Sequence, residues 1–231
     1  LDPATGTGTF IESVIDLIYS TMKNHWKLEG YNKKDITKLW NDYVENNLLN
    51  RIYGFECMMA PCTIAHLKIS LKLRETGYTN KNSNRLNIFL TDSLAPPSSI
   101  QSWLPKFLSK EANEVNEIKK SIPFSVIIGN PPYFGAEGIG GDWVANLLRG
   151  KDKLSNSESE NYFSVNGGPL NEKNPKWLND LYVKFFRISQ YYLRSPVIKV
   201  HSFISNHAYI NNPTFRGMRE SLLNGFSSFK L

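Results

Sequence analysis

Asn130, Pro131, Pro132 and Tyr133 stand together directly after an apolar run, FSVIIG. Two consecutive prolines stiffen the backbone and remove two N–H donors, so the loop is left with exposed carbonyl acceptors. The amide oxygen of Asn130 and the carbonyl oxygen of Pro131 suit one planar NH₂ group, each accepting one of its protons. Those two bonds draw the nitrogen towards tetrahedral character and free its lone pair for attack. Tyr133 adds a flat face on which a ring bearing the amine can stack. The competing reading is a plain strand-ending turn with no ligand.

A second group lies at the start of the sequence, where Asp2, Pro3, Ala4, Thr5, Gly6, Gly8 and Phe10 precede the helical pattern FIESVIDLIY. A glycine-rich turn feeding a helix lets the backbone approach a ligand closely and offers free N–H groups. The carboxylate of Asp2 argues against phosphate here. It suits an ammonium group, such as the amino-acid end of S-adenosylmethionine, although an ordinary glycine-rich turn accounts for the same residues. A nicotinamide dinucleotide fits poorly, because Gly6 and Gly8 are followed by Ile11 where G-x-G-x-x-G requires glycine. Glu56 and Asp92 close two later apolar runs, RIYGFEC and RLNIFLTD, with Cys57 and Ser93 beside them. At successive strand ends, Glu56 would accept from a ribose diol and Asp92 from the exocyclic amine of an adenine. Either acid alone reads as a surface carboxylate.

These groups need a scaffold that presents strand ends side by side. Apolar helical stretches at 9–24 and 59–76 alternate with short β-branched or aromatic runs at 52–55, 86–90, 124–128 and 198–204. Three of the runs are almost continuously apolar, as in parallel strands covered on both faces. The fold expected is α/β, a doubly wound and mostly parallel sheet. The stretch EANEVNEIKK at 111–120 reads as a solvated helix face, and WLNDLYVKFFRISQYYL from Trp177 as a core helix. Between them, 135–174 carries seven of the fifteen glycines and the tract SNSESEN, and reads as a long, partly mobile insertion.

The composition agrees with a folded chain: of 231 residues 41% are apolar, enough for a core. Lys and Arg total 27 against 21 Asp and Glu, a balance that favours a polyanionic partner without establishing one. Arg149, Lys151 and Lys153 in the insertion read first as solvated charge and secondly as phosphate contacts. No apolar run approaches the roughly 18–20 residues of a membrane span, and LDPATGTG lacks the layout of a signal peptide. A cytoplasmic chain without a membrane partner is expected. Cys57 and Cys62 are too few for a disulfide framework or a zinc site and read as small apolar side chains; His25, His66, His201 and His207 show no ligand spacing, so no metal is expected.

Taken together, the motifs resemble those of the S-adenosylmethionine-dependent amino-methyltransferases, and particularly the N6-adenine DNA methyltransferases of restriction-modification systems. DPATGTGTF is similar to the family's methionine-holding motif, FEC with Glu56 to its ribose motif, TDS with Asp92 to its adenine motif, and NPPY to its catalytic motif. The cofactor motif preceding NPPY matches the gamma arrangement. LNDLYVKFFR and SFISNHAYINNPTFRGMRESLLNGF resemble the later strands and helices of large single-polypeptide restriction enzymes, which fuse a methylase to helicase or nuclease parts.

The resemblance implies a class I, Rossmann-like methyltransferase fold over 1–231, incomplete at both ends. It also implies S-adenosylmethionine as cofactor, double-stranded DNA as partner, and direct methyl transfer to the N6 amine of a flipped adenine. The lead-in strand, the cofactor motif before it, the downstream aromatic that sandwiches the base and the target-recognition domain are not visible. The expectation is a piece of a larger polypeptide, inactive by itself. Two rivals stay open: a protein-glutamine N-methyltransferase, which also uses NPPY, and a non-catalytic nucleic-acid-binding module on the same fold.

Overall fold

The computed structural model describes residues 1–79, 85–97, 106–133, 141–151, 160–173, 175–194 and 198–230. They divide into two compact units, Leu1–Thr91 and Asp92–Leu231.

In the first unit, Gly8 has a φ of 83°, a left-handed turn conformation that glycine adopts freely, and helix α1 (Thr9–Leu28) begins at the next residue. Its buried face, Ile11, Ile15 and Trp26, meets α2 (Lys33–Tyr43) and α3 (Met59–Glu75) in one apolar core. Helix α2 starts where the Asn32 side chain accepts from the N–H groups of Lys34 and Asp35, and it continues into a π-helical turn, Val44–Leu48. Trp40 is fully buried at the centre of this core, and its indole N–H donates to Thr76 Oγ1 at 2.8 Å. Strand β1 (Gly54–Glu56) pairs in parallel with β2 (Ile88–Leu90), Phe55 opposite Phe89, and Asp2 forms an isolated parallel bridge with Gly54. All three residues of β1 are buried. Full burial of a side chain such as Phe55 contributes about 1.5–3 kcal/mol.

The second unit contains α4 (Lys106–Ser121), β3 (Val126–Gly129), α5 (Gly141–Leu148), a short hairpin of β4 (Ser164–Val165) and β5 (Gly168–Pro169), α6 (Leu181–Tyr192), β6 (Val200–Phe203), α7 (Ala208–Asn211) and α8 (Arg216–Gly225). Strands β3 and β6 pair in parallel, Ile127 opposite His201. Every residue of α6 is buried, as expected for a helix apolar around most of its circumference. Phe186 on α6 packs edge-on against His201 and Phe203 of β6.

Helices and short parallel strands therefore occur together as the sequence suggests. Among the described residues the ladders form two parallel pairs and one antiparallel hairpin. The strands are shorter than the apolar runs, and β3 and β6 differ from the expectation of cover on both faces. Val126 and Val200 are 48% and 46% exposed, whereas α6 packs on His201 and Phe203, the alternate residues of β6.

Part of the segment expected to be an insertion is built into the fold. Residues 134–140, 152–159 and 174, which include Lys153 and most of SNSESEN, lie outside the described residues. The remainder holds α5 and the hairpin, with Val144, Leu147, Leu148, Tyr162 and Leu170 buried. No described helix is long and apolar enough to cross a membrane.

Candidate functional site

The glycine-rich loop of the first unit is built around Asp2. Its backbone joins the sheet, with Asp2 N–H donating to Tyr53 O at 2.9 Å and Phe55 N–H donating to Asp2 O at 2.9 Å. One carboxylate oxygen, Oδ1, accepts from Ala4 N–H at 3.0 Å. The other, Oδ2, is buried without a hydrogen-bond partner. Burial pushes the Asp2 carboxyl up to about 7, and the nearby Glu56 carboxylate acts in the same direction. A carboxylate in this state is short of one cationic or donor partner.

Glu56, at the end of β1, holds the loop in place. Gly6 N–H donates to Glu56 Oε2 at 2.8 Å, and Met58 N–H donates to Glu56 Oε1 at 2.9 Å. Oε1 also accepts from the Cys57 thiol at 3.7 Å, whereas Oε2 keeps a further lone pair and so leaves room for a hydroxyl donor. Thr5 is buried, its N–H donating to Phe55 O at 3.0 Å and its hydroxyl to Asp2 O at 3.0 Å. A Cβ on Gly6 would meet nothing within 4 Å, so the loop backbone is open to an incoming group. Pro3 and Gly8 are buried, Ala4 and Phe10 partly so. Asp2, Thr5, Gly6 and Glu56 thus come together in one constellation, with Cys57 exposed at its edge. Exposed Cys57 departs from the buried role given to both cysteines; Cys62 alone is buried.

In the second unit, Asp92 opens a tight turn after β2. Leu94 N–H donates to Asp92 Oδ1 at 2.8 Å and Ala95 N–H to Asp92 O at 3.2 Å. The Asp92 residue itself is exposed, while Ser93 and Leu94 are buried. Lys119 of α4 donates from Nζ to Asp92 O at 2.7 Å. Burial lowers the Lys119 ammonium to about 8, partly offset by the Asp92 charge.

Asn130 follows β3 directly and is exposed, Pro131 is buried and Pro132 exposed. The Tyr133 hydroxyl donates to Asn130 Oδ1 at 2.9 Å, and the Tyr133 ring packs against the aromatic core of the second unit. This bond fixes the amide plane and leaves Oδ1 a second lone pair for an external donor.

Sequence reasoning missed two contributors. A Cβ at Gly54 would come within 2.6 Å of Thr5 Oγ1 and 2.7 Å of Ile88 Cδ1, so only glycine lets the Asp2 loop lie against β1. The available signal was a lone glycine inside a strand, which marks close approach of another chain segment. Lys119 was hidden in a helix read as solvated, yet Val115 and Lys119, four apart, are both 2% exposed. Arg149 is occupied within the fold, donating to Ala145 O at 2.9 Å and stacking over Phe163, whereas Lys151 is exposed. His66 lies 3.0 Å from Ile88 O and His201 sits among Phe186, Phe203 and Phe226, where burial lowers it to about 4. Among the described residues no three His, Cys, Asp or Glu side chains are grouped to hold a metal.

Comparison with known proteins gives a consistent set. A family model described as Eco57I restriction-modification methylase matches residues 50–228. No curated protein matches the chain. A cryoEM structure of a DrdV–DNA complex is similar with a TM-score of 0.64 and 23% identity, covering 98% of this chain and 19% of that one. The ATP-dependent Type ISP restriction-modification enzyme LlaBIII, bound to DNA, gives 0.65 and 22%, covering 96% and 14%. A nuclease-deletion mutant of the Type ISP enzyme LlaGI, with a DNA substrate mimic, gives 0.63 and 22%, covering 97% and 17%. These likenesses concern the fold, and the chain spans less than a fifth of each of those polypeptides.

Proposed function

Because the chain belongs to the Eco57I restriction-modification methylase family, we propose that it carries out S-adenosylmethionine-dependent methylation of adenine N6 in DNA, as one part of a longer restriction-modification enzyme. The observation that carries this reading is the loop after β3. Asn130 is exposed, its amide is oriented by the Tyr133 hydroxyl, and the two prolines behind it fix the backbone. Such a loop recognises an amine.

The first unit fits the cofactor. The buried, unpartnered Asp2 Oδ2 lacks a cationic donor, which the ammonium of the methionine moiety supplies. The Gly6 backbone is open to close approach, and Glu56 Oε2 retains a lone pair for a ribose hydroxyl. In the second unit, exposed Asp92, beside Ser93, is the acceptor this reading assigns to the adenine amine. When bound, S-adenosylmethionine supplies an already activated methyl group, so the chain's own residues need only align and polarise the acceptor.

Asn130 Oδ1 and the Pro131 carbonyl accept from the target amine, and the Tyr133 ring stacks on the base. Alignment of this kind contributes several kcal/mol to lowering a barrier, about 7–11 at its best. An adenine within a duplex must leave the stack to reach such a loop, at a cost of a few kcal/mol that stacking partly offsets. The test is Asn130→Ala in the intact polypeptide, followed with labelled cofactor. Methylation of adenine should be abolished with cofactor affinity nearly intact; wild-type methylation in the variant would refute the assignment.

A further inference from the structure

We propose that Lys119 is a positioning residue that sets the turn carrying Asp92, and through it the selection of an adenine ring in the cofactor; the inference rests on the methyltransferase reading above. Burying an ammonium is costly, several kcal/mol unless it is well paired, so a lysine that is 2% exposed calls for a physical reason. The Asp92 carbonyl is not that reason by itself. It already accepts from Ala95 N–H at 3.2 Å, and the added bond from Lys119 Nζ at 2.7 Å exceeds what satisfying it requires.

The bond instead ties α4 to the turn at the one residue whose carboxylate faces solvent. Thr91 N–H donates to Glu56 O at 2.7 Å, so the segment is sheet-bound up to the residue before Asp92. Beyond it, Ser93 and Leu94 are buried and Leu94 N–H grips Asp92 Oδ1 at 2.8 Å. Lys119 therefore clamps the backbone on which the Asp92 carboxylate pivots, and the other carboxylate oxygen is held in a fixed direction. The neighbouring Lys120 does nothing comparable: it is exposed and pairs with Glu117 at 3.3 Å on the same helix.

The experiment uses two ligands, S-adenosylhomocysteine and its inosine counterpart, in which a ring carbonyl replaces the exocyclic amine. Their affinities for the intact polypeptide are measured by titration calorimetry, with thermal melting to confirm folding. Wild type should prefer the adenine ligand by at least about tenfold, and Asp92→Ala should lose that preference. Lys119→Met should reduce it to below about threefold while remaining folded, and Lys119→Arg, which keeps the charge and the donor, should restore part of it.

An unchanged preference in folded Lys119→Met, with Asp92→Ala altered, overturns the role of Lys119 alone. Should Lys119→Met not fold, the same comparison is made with Lys119→Gln; failure of both to fold also overturns the proposal, because Lys119 would then be a general support of the unit. A wild-type polypeptide that binds neither ligand refutes the methyltransferase reading itself.

Discussion

Gly6 and Glu56, fifty residues apart, are joined by a 2.8 Å hydrogen bond from the glycine N–H to the carboxylate Oε2. Through it, a turn preceding α1 is anchored to the end of β1, and the same carboxylate caps Met58 N–H at the approach to α3. Removing it leaves two donors without their anionic acceptor. Glu56→Ala should lower stability by about 1.5–3 kcal/mol, read as a shift of the urea midpoint. It should also weaken S-adenosylmethionine binding in the intact polypeptide by tenfold or more, an order of magnitude set by one charge-assisted bond. An unchanged affinity would remove Glu56 from the cofactor site.

Asp2 gives a pH signature. Its folded carboxyl is raised from 3.8 to about 7, so the folded chain holds this proton more tightly than the unfolded one. Its contribution to stability is full below 3.8 and is lost as pH rises through about 7. An ammonium ligand requires the ionised form, so affinity should fall about tenfold per unit below pH 7. It should fall again above about 8, where a free α-amino group deprotonates. Asp2→Asn should flatten the acidic arm and weaken binding, yet raise stability at pH 8 by an amount of order 2–4 kcal/mol. Opposite signs for binding and stability would separate a ligand-binding carboxylate from a structural one.

Tyr133 and Asn130 make a smaller claim. Loss of the 2.9 Å hydroxyl bond in Tyr133→Phe removes only the orienting contact and keeps the ring. One neutral hydrogen bond corresponds to about 0.5–1.5 kcal/mol, so the methylation rate should fall roughly two- to tenfold. Tyr133→Ala, which also removes the stacking face, should lose considerably more. Equal losses in both variants would show that the hydroxyl, not the ring, dominates.

The parts legible in the sequence were those that depend on short-range residue order. Asp2 through Gly8 and Asn130 through Tyr133 announce their turns because a turn's conformation and its donors are set within a few residues. The places of Glu56 and Asp92, at or just beyond strand ends, were legible from the ends of apolar runs, although the runs overstate the strands by one or two residues. Lys119 was not legible, because its burial follows from the Asp92 turn lying against α4, a contact between positions 27 residues apart. The alternation of exposed Val126 with buried Ile127 was equally hidden, since a continuous apolar run does not say which face a helix covers. The described part of the insertion held a further hidden feature: Tyr162 and Leu170 find burial against helices distant in sequence, which its glycine-rich composition does not announce.

The packing of residues 160–173 should hinge on Gly217, near the start of α8. A Cβ built there would collide with the backbone carbonyls of Tyr162 and Ser164, neither of which can swing aside as a side chain would. Three further contacts hold the segment down: Tyr162 OH donates to Gln190 at 2.6 Å, Asn166 N–H to Glu220 at 2.8 Å, and buried Arg187 donates to Glu160 O at 3.1 Å. Overpacking of this kind costs about 1–3 kcal/mol when the surroundings can adjust. Here the easiest adjustment is release of the hairpin, because β4 and β5 make only two residues of ladder each. Gly217→Ala should therefore expose 160–173 to limited proteolysis far more than it lowers the overall melting temperature. Cleavage unchanged from wild type, with a lowered melting temperature, would mean that α8 moves and the hairpin does not.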